Sequence, residues 1–269
     1  MNLAVRIQAT EQRKRWVDTL VVHLLNQEPH NSDIQVVVDK SHDLWSGAKA
    51  TLQSYTQGFH THVLLLQDDV LPCRDLIKTA EHLIELLPHE PITLFSNHSA
   101  ITKAREAGKH WALLKKWLMA QAYIMPVEII EDFIPWAERH IKPEIYFDDN
   151  RWAMYFDYHN RGVYATAPSL VEHLGWNSTT LNGGYDPGHT FSAESRMAKW
   201  FIGFEHSGLE IDWGNPHNYF EAQKTSNGDW AHYYRSEAVD THRQVVPNQP
   251  DMRKGAMWRH KLNYSQATN

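Results

Sequence analysis

The sequence predicts an α/β fold, a doubly wound and mostly parallel sheet flanked by helices. Three observations predict it. Short apolar runs rich in branched residues alternate with helix-period stretches from residue 3 to residue 97. One run, Val63 to Leu66, has no polar alternation, which is how a strand buried on both faces reads. The chain has 269 residues, 42% hydrophobic and 22% charged, enough to bury a sizeable core.

Taken in order, LAVRIQA (3–9) is the first strand. Thr10 is placed to cap the helix EQRKRWVDTLVVHLLNQ, where Trp16, Leu20 and Leu24 recur at helical spacing. The second strand is read in 33–43, its three valines ending at Asp39. Residues 44–55 read as a helix ended by Gly58, and the central strand follows in THVLLLQDDVLPC, 61–73. LIKTAEHLIELL is a helix stopped at Pro88, and PITLFSN (91–97) is another strand.

Residues 98–117 are basic and weakly periodic, so they read as a mobile loop, a possible lid, followed by a helix. MAQAYIMP (119–126) is a strand, and VEIIEDFIPWAERHI is a helix kinked at Pro135. Asp148-Asp149 open an aromatic helix that Gly162 closes. A short strand at 163 leads to Pro168-Ser169 and His173. From Leu181 the texture changes to Gly, Asn and Pro. The expected division is a domain over 1–182 and an aromatic-rich extension over 183–269, with a helix over 194–204.

Composition narrows the function. A formal charge of −6 argues against a general polyanion-binding surface. No run approaches the roughly 18 apolar residues that span a bilayer. One cysteine, Cys73, and no evident signal peptide suggest a reducing, cytoplasmic setting in a bacterium or a virus-infected cell. No Gly-x-Gly-x-x-Gly or Walker-type loop is present, which disfavours dinucleotide oxidoreductases and P-loop NTPases.

The chemistry concentrates in three places. Asp68-Asp69 end the central strand, where ligands of open α/β sheets bind, and two carboxylates there can hold a divalent cation and through it a phosphate. They can equally form a solvated turn, with Asp69 or Asp75 capping the next helix. Asp148-Asp149 either complement a helix dipole or, partly buried among aromatics, supply a general base of raised pKa. His173 is either structural or a third ligand beside an acid-bound ion. Asp39 can accept hydrogen bonds from a base or ribose or mark a turn, and Arg13 and Arg15 can reach a phosphate or lie exposed on their helix.

These landmarks resemble the GT-A class of nucleotide-sugar-dependent glycosyltransferases over roughly residues 1–182. VLLLQDDV is similar to that class's strand with an Asp-x-Asp metal motif, here with Gln67 in place of the first acid. MAQAYIMP, a helix and FDD resemble its acceptor-side strand and catalytic-base motif, with Asp148 where Glu is usual. PSLVEHLGWNST resembles its C-terminal metal-histidine segment. The resemblance implies a nucleotide diphosphate sugar as donor, most commonly UDP-linked, and Mn²⁺ or Mg²⁺ held by Asp69 and His173. It implies Gln8, Ala9, Thr10, Arg13, Asp39, Gln67 and Asp68 around the donor, and Asp149, paired with Asp148, as the base of an inverting displacement. Trp111, Trp152 and Trp176 are candidates to stack on the acceptor or close the site, with core packing the default reading for any one of them. That acceptor is a glycan or, as in phage-type enzymes, a hydroxymethylated base in DNA; the aromatic, His-rich tail with Arg235, Arg243, Arg253, Lys254, Arg259 and Lys261 suits either a sugar or a nucleic acid strand. Two other classes stay open: a metal-dependent nucleotidyl or phosphoryl transferase, and a non-catalytic nucleotide-sugar or nucleic-acid binder.

Overall fold

A computed structural model describes residues 2–27, 33–40, 44–115, 120–143, 148–174 and 197–222. Strands β1 (Leu3–Ala9), β2 (Asp33–Val38) and β3 (His62–Gln67) run parallel in the order β2-β1-β3. Helix α1 (Lys14–Gln27) links the first two and α2 (Leu44–Leu52) the next two. This is the predicted strand–helix alternation. It puts the ends of β1 and β3 level, with Gln8 beside Gln67.

Beyond β3 the sheet becomes mixed. A short β4 (Val70–Pro72) leaves the main sheet, and α3 (Leu76–Leu86) leads to β5 (Ile92–Thr93). Then come α4 (Ser99–Glu106), β6 (Trp111–Lys115), β7 (Ala122–Pro126), α5 (Val127–His140), α6 (Asp148–Tyr158) and β8 (Gly162–Thr166). A short β9 (Val171–His173) and an edge strand β10 (Phe220–Glu221) complete the described elements. The main sheet runs β10-β6-β8-β5-β7-β3-β1-β2. Neighbours β1–β2, β1–β3, β5–β8 and β6–β10 are parallel, whereas β3–β7, β5–β7 and β6–β8 are antiparallel. The α/β class and the largely parallel sheet are as expected.

Pleating divides the core into two layers. Ala4, Val63, Leu65, Tyr123 and Met125 share one apolar cluster with residues of α2, α5 and α6. Val5, Ile7, Leu64, Leu66, Ala122 and Ile124 share the other with α1 and α3. Both faces of β3 are thus covered, and Val63 to Leu66 have no exposed surface. Arg6 is also buried, but its guanidinium donates to Asp33 Oδ2 at 2.5 Å and to the Ser54 carbonyl at 2.8 Å. A buried charge persists when it is paired in this way.

Several local expectations are corrected. Residues 98–115 are not a loop before a helix: α4 comes first, capped by His98 accepting from the Ala100 N–H, and β6 follows. Trp111 opens β6 because its side chain fills the core between Tyr164 and Trp213. Gly162 begins β8 and does not close α6; Asn160, at φ 48°, makes the turn. The strand read in 91–97 shrinks to Ile92–Thr93, because Leu94 already donates to the Ala122 carbonyl and Leu170 to that of Leu94. Gly58 (φ 74°) turns the chain several residues after α2 has ended. Residues 197–204 are turns and a bridge where a helix was expected. They lie along residues 169–173, with Ser169 donating to the Trp200 carbonyl and Ala198 to Glu172 Oε1.

The 182/183 boundary, Trp176 and the basic tail lie outside the described residues. Among the described residues, no helix is long and apolar enough to cross a membrane.

Candidate active site

The site is built where β1 and β3 end together. Gln67 closes β3 and donates its backbone N–H to the Gln121 carbonyl. Asp68 and Asp69 follow, both buried, at 5% and 6% exposure. The chain leaving β1 supplies their partners. Thr10 donates its backbone N–H to Asp68 Oδ2 at 2.8 Å and its hydroxyl to the same oxygen at 3.1 Å. Thr10 stands at the N-cap, as expected, of the short 3-10 turn that leads into α1, but its hydroxyl serves Asp68 in place of a cap bond. A single 3-10 turn, Glu11–Arg13, then carries Arg13 back over the acids. Arg13 Nη1 lies 2.6 Å from Asp68 Oδ1 and 2.7 Å from Asp69 Oδ2.

His173 reaches the same place through the small second sheet. β4 and β9 pair antiparallel with Val70 opposite His173, and Leu174 donates to the Asp69 carbonyl at 2.9 Å. This ladder sets His173 Nε2 3.2 Å from Asp69 Oδ2, with the imidazole edge-on to Phe95. The two acids titrate in opposite directions. Burial pushes Asp68 up despite Arg13 and Thr10. Burial also acts to raise Asp69, but His173 and Arg13 outweigh it and hold the carboxyl below its ordinary value. Asp69 is thus an anion at neutral pH, and its Oδ1 is buried with no hydrogen-bond partner.

That donor set fits a hard divalent ion bound in part by the protein. Among the described residues no three carboxylate, imidazole or thiol groups converge on one point. Asp69 and His173 do meet, and Mg²⁺-type sites commonly use one or two protein ligands and take the rest from substrate phosphates and water.

The second acid pair opens α6, on the α2–α5–α6 side of the sheet. By strand alternation Gln8, Gln67 and Gln121 belong to that same side. Asp148 and Asp149 are each half-buried, and Asp148 Oδ2 is fully enclosed without a partner. Burial, reinforced by the adjacent Asp149 charge, pushes Asp148 up to about 7. Burial pushes Asp149 to about 6, held back by the Asn150 N–H donating to its Oδ1 at 2.7 Å. Asp148 also acts electrostatically on Tyr123, whose hydroxyl accepts from Trp152 Nε1 at 3.3 Å. The sequence reading missed Tyr123, which lay hidden in an apolar strand.

The remaining predicted residues divide. The Ala9 carbonyl accepts from the Asp39 N–H at 2.8 Å, so Asp39 stands at the same sheet end. Its carboxylate lies against Gly47 of α2, where a Cβ would come within 2.8 Å of it. Gln8 is half-buried, with Oε1 enclosed and unpartnered. Trp111 and Trp152 are core residues, the default reading for a tryptophan, and their candidacy to stack on an acceptor is corrected: at 1% and 0% exposed they offer no face to a ligand. Trp152 is stacked between Phe133 and Phe156.

No protein-family model and no curated protein matches the sequence. Among solved structures the chain is similar to a Drosophila β-1,4-galactosyltransferase 7, solved as a point mutant with manganese, UDP-Gal and xylobiose. The identity is 10%, the TM-score 0.40, and the match covers 78% of this chain and 83% of that one.

Proposed function

We propose that this protein is a divalent-metal-dependent glycosyltransferase that moves a sugar from a nucleotide diphosphate donor, UDP-linked, to a hydroxyl acceptor with inversion. The observation that carries this reading is the Asp69–His173 pair, 3.2 Å apart at the end of the central strand. Two further acids of raised pKa open α6, on the sheet side to which the glutamines belong. A phosphoryl or nucleotidyl transferase would use two ions and more converging carboxylates. One acid and one imidazole suit a single ion better.

In this reading Asp69 and His173 hold Mn²⁺ or Mg²⁺. The ion, when bound, offsets the negative charge that develops on the departing diphosphate. Gln8, Ala9, Thr10, Asp39 and Gln67 line the donor's nucleoside end, while Asp68, held by the Thr10 N–H and hydroxyl, keeps its carboxylate oriented beside Asp69. The acceptor hydroxyl attacks the anomeric carbon, the sugar–phosphate bond breaks, and the hydroxyl proton passes to Asp149. Asp149 loses its proton first, and its charge then keeps the neighbouring Asp148 protonated near neutral pH. The acceptor is a glycan or a hydroxymethylated base in DNA.

The test is thermal unfolding against a panel of nucleotide sugars with and without Mn²⁺, since a ligand that binds the native state raises Tm by mass action. A shift for one nucleotide sugar only when Mn²⁺ is present is expected. In Asp149→Asn that shift should survive while transfer is lost. A shift with oligonucleotides or nucleoside triphosphates alone would overturn the assignment.

A further inference from the structure

We propose that Arg13 is a resident counter-cation of the Asp68–Asp69 pair which a divalent ion must displace, so that this arginine sets the ion concentration at which the donor site assembles. This rests on the metal-dependent reading above.

The geometry is that of a competitor. Both carboxylates are nearly enclosed, with side chains 7% and 9% exposed. Two ionised acids side by side in such a place repel and lose hydration, which is costly unless a cation lies between them. One guanidinium nitrogen does lie there, 2.6 Å from one acid and 2.7 Å from the other. The Asp69 oxygen that it contacts, Oδ2, is also the one facing His173. An ion shared by Asp69 and His173 would therefore stand within a few ångströms of the guanidinium. Two cations at that separation repel strongly in a partly buried setting. Arg13 cannot yield by losing its proton, because a guanidinium stays charged in proteins. It must move. It is carried on a 3-10 turn with no buried residue that runs directly into α1. A change of side-chain rotamer lifts the long guanidinium off the acids while the β-ladders keep Asp69 and His173 in place.

The experiment uses the full chain and Mn²⁺ alone, with free ion read from its electron paramagnetic resonance signal. Arg13→Ala should bind Mn²⁺ about tenfold more tightly than the unaltered protein, the order of an ordinary coupling between two sites. Guanidinium chloride at millimolar concentration should weaken Mn²⁺ binding by Arg13→Ala and leave the unaltered protein unaffected, a response that a purely structural arginine would not give. Equal or weaker Mn²⁺ binding by Arg13→Ala overturns the proposal. Should that variant fail to fold, Arg13→Lys serves: one ammonium bridges the acids less well, so Mn²⁺ should bind severalfold more tightly, and unchanged binding overturns the proposal. If neither the unaltered protein nor the variants take up Mn²⁺, the metal assignment under the proposed function falls together with this one. If all take it up equally, only the Arg13 proposal falls.

Discussion

His173 Nε2 stands 3.2 Å from Asp69 Oδ2 although 104 residues separate them. The approach is set by the pairing of Val70 with His173 and by the Leu174 N–H on the Asp69 carbonyl. Backbone on both sides of the pair is thus fixed, and the imidazole is further held edge-on by Phe95. Preorganisation of this kind means that truncating the ring should cost ligand affinity more than stability. His173→Ala should weaken Mn²⁺ binding by about tenfold or more, the usual order for loss of a supporting metal contact. Isothermal titration with Mn²⁺ checks it, beside a Tm that moves by no more than a few degrees.

The same contact shows how far the sequence could be read. The β-α-β start, the central strand and the two acid pairs were all legible, because periodicity and acid placement are local signals. The pairing of Asp69 with His173 was expected only through resemblance to a known class; local pattern alone left His173 as structural or ligand. Arg13 was visible as a cation near a strand end. That it bridges both acids depends on a one-turn 3-10 helix, which no periodicity announces. Tryptophan was legible only as a default. Large rings fill cores as readily as they bind ligands, and Trp111 and Trp152 proved to be core.

Trp111 gives a direct check on that correction. Its indole Nε1 donates to the Trp213 carbonyl at 2.9 Å, while Trp213 Nε1 donates to the Gly208 carbonyl at 3.0 Å, so the two rings fasten residues 208–213 to the sheet. Trp111→Phe removes the first bond and leaves a buried carbonyl without its donor. The expected loss is about 1–3 kcal/mol of stability. Donor affinity, measured by the same nucleotide-sugar titration at a temperature where the variant is folded, should be unchanged.

Gly208 tests the seam between the later segment and α3. A Cβ built there would lie 2.4 Å from Thr79 Cγ2 and 2.7 Å from its Oγ1. Thr79 cannot give way easily, since it is fully buried on α3 and its hydroxyl donates to the Asp75 carbonyl at 2.8 Å. Gly208→Ala should therefore destabilise by about 1–3 kcal/mol, the usual cost of overpacking. Chemical denaturation checks it. Gly208→Ala combined with Thr79→Ala, which removes both clashing atoms, should recover part of the loss, and a double variant no more stable than Gly208→Ala would overturn this account.

Asp148 makes the pH dependence of stability a readout of the second acid pair. Its carboxyl, pushed up to about 7 by burial and by Asp149, titrates higher in the folded chain than in the unfolded one, where an aspartate lies near about 4. Between those values the folded state holds a proton that the unfolded state has lost. Stability from this group is therefore full below about pH 4 and is lost as the pH rises towards about 7. Asp149, raised to about 6, acts in the same direction over a narrower window. Asp148→Asn keeps the shape and removes the charge. The variant should lose part of this decline and be more stable than the parent above pH 7, each kcal/mol appearing as about 2–4 °C in Tm for a chain of this size. Its Asp149 should ionise where it does in the parent, because Asp148 is still protonated and uncharged over the range in which Asp149 loses its proton, so the acid limb of any transfer activity should stay in place. Thermal unfolding from pH 5 to 8 and a pH–rate profile give the two readouts. A variant no more stable than the parent at pH 8 would mean that Asp148 is well solvated and that the pair is not poised for proton transfer.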